Sequence, residues 1–229
     1  MEPMLRVVKW SGVCVALVLL VGCQKPKPNP EAPIEPPCPD GASELCASKV
    51  VRRERIEQLV ERGKKATDQL LVTLKRQLVA AIKSRGTIGA IEFCSTNALT
   101  LTRTVQTAWS EPIALKRTSL RVRNPKNAPD AFERTVLRWF IEQKKARGKL
   151  PSHYLQLVTG AKAPRVRYYR PLVVQAICLS CHGPRSSMPD ALRKRIAALY
   201  PADRAFDYKL NDFRGLVRVE LSLGEAERR

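Results

Sequence analysis

The chain has 229 residues, 41 of them Lys or Arg and 21 Asp or Glu, for a formal charge of +20. That length suits one domain of ordinary size with a terminal extension rather than a multi-domain assembly. A hydrophobic content of 44 % and a charged content of 27 % exclude a wholly disordered chain. The excess of basic residues would point to nucleic acid only in a compartment that contains it, so the N-terminus decides how the charge is read.

Arg6 and Lys9 precede an apolar run from Trp10 to Gly22, about half the length needed to span a bilayer, which reads as an export signal over residues 1–22. The run ends in Leu20-Val21-Gly22-Cys23. This tetrapeptide resembles a bacterial lipobox, and the resemblance implies cleavage before Cys23 and acylation of Cys23 itself. Two or more acyl chains anchor a protein stably, so a lipoprotein held on a membrane is expected. Gln24 follows the cysteine, which by resemblance to Gram-negative lipoproteins directs the protein to the outer membrane, facing the periplasm. Nucleic acid is not expected as a partner there, and almost all the positive charge remains after cleavage.

Residues 23–47 form the next segment, with seven prolines between Pro26 and Pro39. Proline removes backbone donors and favours polyproline II, so the stretch reads as a tether able to reach up to about 70 Å from the lipid at roughly 3.1 Å per residue. Cys38 and Cys46 lie close together in it and are candidates for a local disulfide in an oxidising compartment.

A folded domain is expected over residues 48–229. From Ser48 to Ser84 apolar residues recur at helical spacing, with an interruption near Gly63 and a stop at Gly86, and Thr87–Thr107 repeats the pattern with Cys94 on its inward side. Ile113–Arg123 reads as a strand, and Asn127–Pro129 open a helix to about Lys145. Tyr154–Val158 and Arg165–Val174 read as a hairpin turning around Gly160. After a cysteine-rich loop, Pro189 opens a short helix to Tyr200, and Phe213, Gly215, Val217, Val219, Leu221 and Leu223 alternate on one face of a last strand. Helices followed by antiparallel strands give an α+β domain.

The sharpest chemical signal is Cys178-Leu179-Ser180-Cys181-His182. On one helical turn such a CxxCH places two thiols to add to the vinyl groups of haem and an imidazole to reach the iron, which makes it the attachment motif of haem c. Export fits, because c-type haem is attached outside the cytoplasm in bacteria. Three other readings compete. A zinc site needs a second ligand pair, and Cys38, Cys46, Cys94 and His153 do not supply its spacing. A thiol oxidoreductase sets its CxxC at a helix start in a thioredoxin-like βαβ pattern, and a disulfide within CxxC is short and strained. For the opposite side of the iron the mature chain offers His153, Met188 and cysteines. Met188 lies six residues past His182, a short path around a haem edge, and Cys94 is a candidate once Cys38 and Cys46 are paired.

Several runs share their order with a known family: Ala90-Ile91-Glu92-Phe93-Cys94, the stretch from Arg117 to Glu133 (RTSLRVRNPKNAPDAFE), Arg167 to Leu172, Cys178 to Gly183, Tyr200-Pro201, and Asn211 to Gly215. Over residues 50–223 the chain resembles the PAS-like c-type haem domain found in a cyanobacterial photosystem-associated protein and in sensory histidine kinases and chemoreceptors. The resemblance implies a PAS-like antiparallel sheet with flanking helices and a long N-terminal helix. It also implies one covalent haem with its iron between His182 and Cys94. Arg117, Arg121, Arg123 and Arg167, near the shared runs, are candidates to face the haem propionates.

The expected role is redox or small-gas sensing, with electron carriage in an envelope respiratory chain as the alternative; an enzyme is not expected. A thiolate ligand favours ferric iron, and its loss on reduction would open a site for CO or NO. No transmitter segment is expected after the domain, so a signal is expected to leave through a redox or signalling protein partner, and the long N-terminal helix is a candidate surface for homodimer formation.

Overall fold

The computed structural model describes residues 53–158 and 165–223. The expected signal, lipidated tether and Cys38–Cys46 pair, and the turn around Gly160, lie outside the described residues. Eight main elements follow in order: α1 (Arg53–Thr107), β1 (Ile113–Thr118), α2 (Ala131–Arg147), β2 (Tyr154–Val158), β3 (Arg165–Val173), α3 (Ala176–His182), α4 (Asp190–Leu199) and β4 (Phe213–Ser222). The fold is α+β, with one antiparallel sheet in the order β1-β4-β3-β2.

Helix α1 is two helices joined at Gly86, whose φ of 64° and ψ of −175° lie in a region that only glycine occupies readily. The first half packs on one face of the sheet, where Leu59, Ala66 and Leu70 meet Leu115, Tyr168, Val217 and Val219. Gly63 permits this closeness, because a Cβ there would overlap the Tyr168 ring. The second half turns towards α4, where Ile91 packs with Leu192, Ile196 and Tyr200. On the other sheet face α2 contributes Val136, Leu137 and Phe140 against Tyr169 and Leu216. Its N-terminus is fixed by a capping box, in which Asp130 accepts from the Glu133 amide at 2.8 Å and Glu133 accepts from the Asp130 amide at 2.9 Å.

The elements depart from the sequence reading in three places. Strand β1 ends at Thr118 rather than Arg123, because the Ser119 hydroxyl donates to the Arg214 carbonyl at 2.7 Å and the chain then leaves the sheet. The segment expected as a cysteine-rich loop is helix α3. Phe213 does not share a face with Val217: a register shift at Leu172/Val173 pairs Val173 with Phe213 and turns that ring onto Phe140, 5.7 Å away. Pro171 is tolerated in an inner strand because β2 begins at Tyr154, opposite Tyr169, and so has no residue beside Pro171 to require its amide.

Candidate functional site

Where α1 bends away from the sheet, it leaves a cavity of about 570 Å³ bounded also by the ends of β1 and β3, by α3 and by Tyr200. Leu71, Leu74, Leu78 and Ile82 of α1 give it an apolar wall. That volume is in the range of pockets that enclose a cofactor. Cys94, Cys178, Cys181 and His182 all line it, although the first comes from α1 and the others from α3, 84 residues later in the chain. All three cysteines are free thiols.

Helix α3 places Cys178 and Cys181 one turn apart, and His182 closes the same turn. His182 is fixed through Nδ1, which donates to the Ala205 carbonyl at 2.8 Å; Nε2 therefore keeps its lone pair. Burial, with Arg123, Arg214 and Arg117 nearby, holds the imidazole well below its usual pKa and so neutral, against the opposing pull of the Ala205 carbonyl. Burial pushes the Cys94 thiol up, while Arg117 and Arg123 oppose that shift.

The Ala205 carbonyl is itself held in place. Arg123 Nε donates to Asp203 Oδ2 at 2.8 Å, and Arg123 Nη2 donates to the carbonyls of Cys181 at 2.6 Å and Ala205 at 3.3 Å. Asp203 in turn accepts from the Ala205 amide at 2.7 Å. The Tyr208 amide donates to the His182 carbonyl at 3.0 Å, and the Tyr208 ring meets the imidazole edge-on at 6.3 Å. One segment, residues 203–208, therefore supports the whole CxxCH turn.

This arrangement fits a haem. Two thiols and an imidazole lie on one turn, a third thiol lines the same cavity, and aliphatic side chains of α1, β3 and α3 make up much of the remaining wall. The four groups do not converge on a point, since among the described residues no three His, Cys, Asp or Glu side chains are grouped to hold a bare metal ion. The charged lining is cationic: Lys75, Arg117, Arg123, Arg170 and Arg214 contribute, and among the described residues no carboxylate does.

The sequence matches the Tll0287-like family over residues 44–222. The chain belongs to that family. Its fold is similar to the crystal structure of the cyanobacterial haem protein Tll0287, with 23 % identity, coverage of 76 % of this chain and 98 % of that one, and a TM-score of 0.53. No curated protein matches the chain.

The Tll0287-like fold sorts the four arginines expected to face a cofactor. Arg117 and Arg123 line the cavity; Arg121 and Arg167 do not. The Arg117 side chain has no hydrogen bond or ion pair among the described residues, and burial lowers its pKa. Arg121 is drawn outward to the Arg204 carbonyl, 3.2 Å away, and the Tyr208 ring. Arg167 lies on the opposite sheet face, bound to Asp130 and Glu220 at 2.8 Å each, which corrects its expected position beside the cofactor. His153 stacks on Tyr168, and Met188 is buried in the α4 cluster; neither lines the cavity. Sequence reasoning missed Tyr200, Arg170 and Arg214 as lining residues. Strand alternation carried a signal for Arg170, which shares a face with Val166 and Tyr168.

Proposed function

We propose that this chain is a monohaem c-type cytochrome that serves in redox or small-gas sensing from the periplasmic side of the outer membrane, where Cys23 anchors it. On this reading Cys178 and Cys181 would hold the haem through thioethers, and His182 and Cys94 would be its iron ligands. The observation that carries this reading is the meeting of Cys94 with the CxxCH turn in one apolar cavity. That the relative of known structure is a cyanobacterial haem protein supports it.

Bound haem supplies one-electron chemistry and, where a ligand position is open, a site for a small gas. The chain supplies the rest. Ala205 orients His182 and fixes its tautomer, the leucines of α1 exclude water, and Arg117 offers a half-buried cation to an anionic group of the cofactor. Cys94 sits past the bend at Gly86, so a change at its sulfur acts on the half of α1 that packs against α4, a route by which the state of the site reaches the surface. The role is non-enzymatic, and the output passes to a protein partner.

The test is anaerobic reduction of the mature protein, made with a cytochrome c maturation system, under CO. Sensing predicts that Cys94 leaves the iron and a CO adduct forms. Ligands that stay bound, with rapid electron exchange and no CO adduct, would favour an electron carrier in an envelope respiratory chain instead.

A further inference from the structure

The segment that supports His182 also builds an outer face. Residues 203–212 cross the surface with left-handed backbone at Asp207 and Asn211, φ 57° and 67°, and are pinned by the bonds from Asp207 and Tyr208 to the CxxCH turn. Tyr208 is buried, with the Arg121 guanidinium 4.2 Å and that of Arg214 5.2 Å from its ring. Phe206 lies under Arg185 at 4.9 Å. Among the described residues the Arg204 side chain is tied only to the Leu120 carbonyl, and Lys209 is exposed in the same segment.

Among the described residues none of Arg121, Arg185, Arg204 and Lys209 pairs with a carboxylate, a state they share with other surface cations of this basic chain; what sets these four apart is their link to residues 203–209, through the Arg204 carbonyl and Tyr208 ring for Arg121 and through Asp207 and Phe206 for Arg185. Two carboxylates on this face, Asp207 and Asp212, accept backbone amides of Arg185 and Lys209. In the same segment Leu210 is 55 % exposed. An apolar contact among unpaired cations, on a rigid loop one hydrogen bond from His182, suits brief docking of an anionic surface.

We propose that this face, with Arg121, Arg185, Arg204 and Lys209 and the exposed Leu210, is the docking site for an acidic one-electron redox protein, and that electrons enter the site from the His182 side. The inference rests on the haem reading above. In the transfer itself the partner's centre loses one electron and the ferric iron gains it, with no bond made or broken; any departure of Cys94 is a separate step that follows the reduction.

The test is stopped-flow reduction of the haem-loaded full chain at low ionic strength by a reduced acidic plant-type ferredoxin, with hexaammineruthenium(II), a cationic reductant that needs no docking, beside it. Arg185→Glu/Lys209→Glu is compared with Lys64→Glu/Lys65→Glu, which makes the same change of net charge on the exposed outer side of α1. The first variant should lower the ferredoxin rate at least about tenfold and flatten its salt dependence while the ruthenium rate does not fall. The second should change the ferredoxin rate less than about twofold. Equal effects of the two variants, or none, overturn the proposal and leave the haem reading intact; a wild-type chain without covalent haem overturns both. Should the first variant fail to fold, Lys209→Glu/Leu210→Ser, at two exposed positions, carries the same expectation.

Discussion

Arg123→Met tests the support beneath His182 most sharply. Arg123 is 8 % exposed, the Asp203 side chain 2 %, and one guanidinium spans that carboxylate and the carbonyls of Cys181 and Ala205. Removing it leaves the Asp203 carboxylate buried with the Ala205 amide as its remaining hydrogen-bond partner among the described residues, a situation that costs about 3–5 kcal/mol. For a domain of this size 1 kcal/mol corresponds to about 2–4 °C, so Tm should fall by about 6–20 °C. Urea unfolding of the haem-loaded protein, followed by far-ultraviolet circular dichroism, measures the loss directly. The double variant Arg123→Met/Asp203→Asn removes the stranded charge and should recover at least about 1 kcal/mol. A loss below about 1 kcal/mol for Arg123→Met, or a double variant no better than the single, would refute the argument that this pair holds the Ala205 carbonyl in place.

Three further outcomes follow from the fold. Gly86→Ala meets open space, so its expected cost of about 1–3 kcal/mol is purely conformational, read by the same denaturation assay. Gly63→Ala forces α1 off the Tyr168 ring and should cost about 1–3 kcal/mol; an unchanged midpoint would mean the helix can shift freely. Burial opposes ionisation of Asp130 and Glu220, but the Glu133 amide with Arg167 and Arg218 at Asp130, and Arg167, Arg218 and Arg165 at Glu220, outweigh it and hold both carboxyls below their ordinary 3.8 and 4.5. Their contribution is therefore present above those values and lost as pH falls below about 4.5 through the depressed pKa values, a slope that Asp130→Asn/Glu220→Gln should flatten in a pH series of denaturation midpoints.

The elements that positioned the cysteines were legible because they depend on local chemistry. Helical spacing either side of Gly86 marked α1 and its bend, and CxxCH marked the turn that α3 presents. Sheet order was not legible, since β1 pairs with β4 across roughly a hundred residues and no local pattern encodes that partner. The arginines show the limit most clearly. Nearness in sequence suggested Arg167, yet the pleat sends Arg167 and Arg170 to opposite faces, one to Asp130 and Glu220 and the other to Asp68 and the cavity. Arg123 was expected to face a cofactor and lines the cavity, but its hydrogen bonds go to Asp203 and two carbonyls, partners about 60 to 80 residues away that only the folded chain brings together. Phe213 followed the alternation of β4 on paper, and the bulge beside Gly215 reversed it.

The central claim is that Cys94 and His182 hold one iron between them. The ferric electron paramagnetic resonance spectrum of the mature protein, recorded beside Cys94→Ala, tests it most directly. The account predicts a low-spin signal of thiolate ligation in the wild type that the variant loses while its haem stays covalently attached. Identical spectra from the two proteins would contradict it.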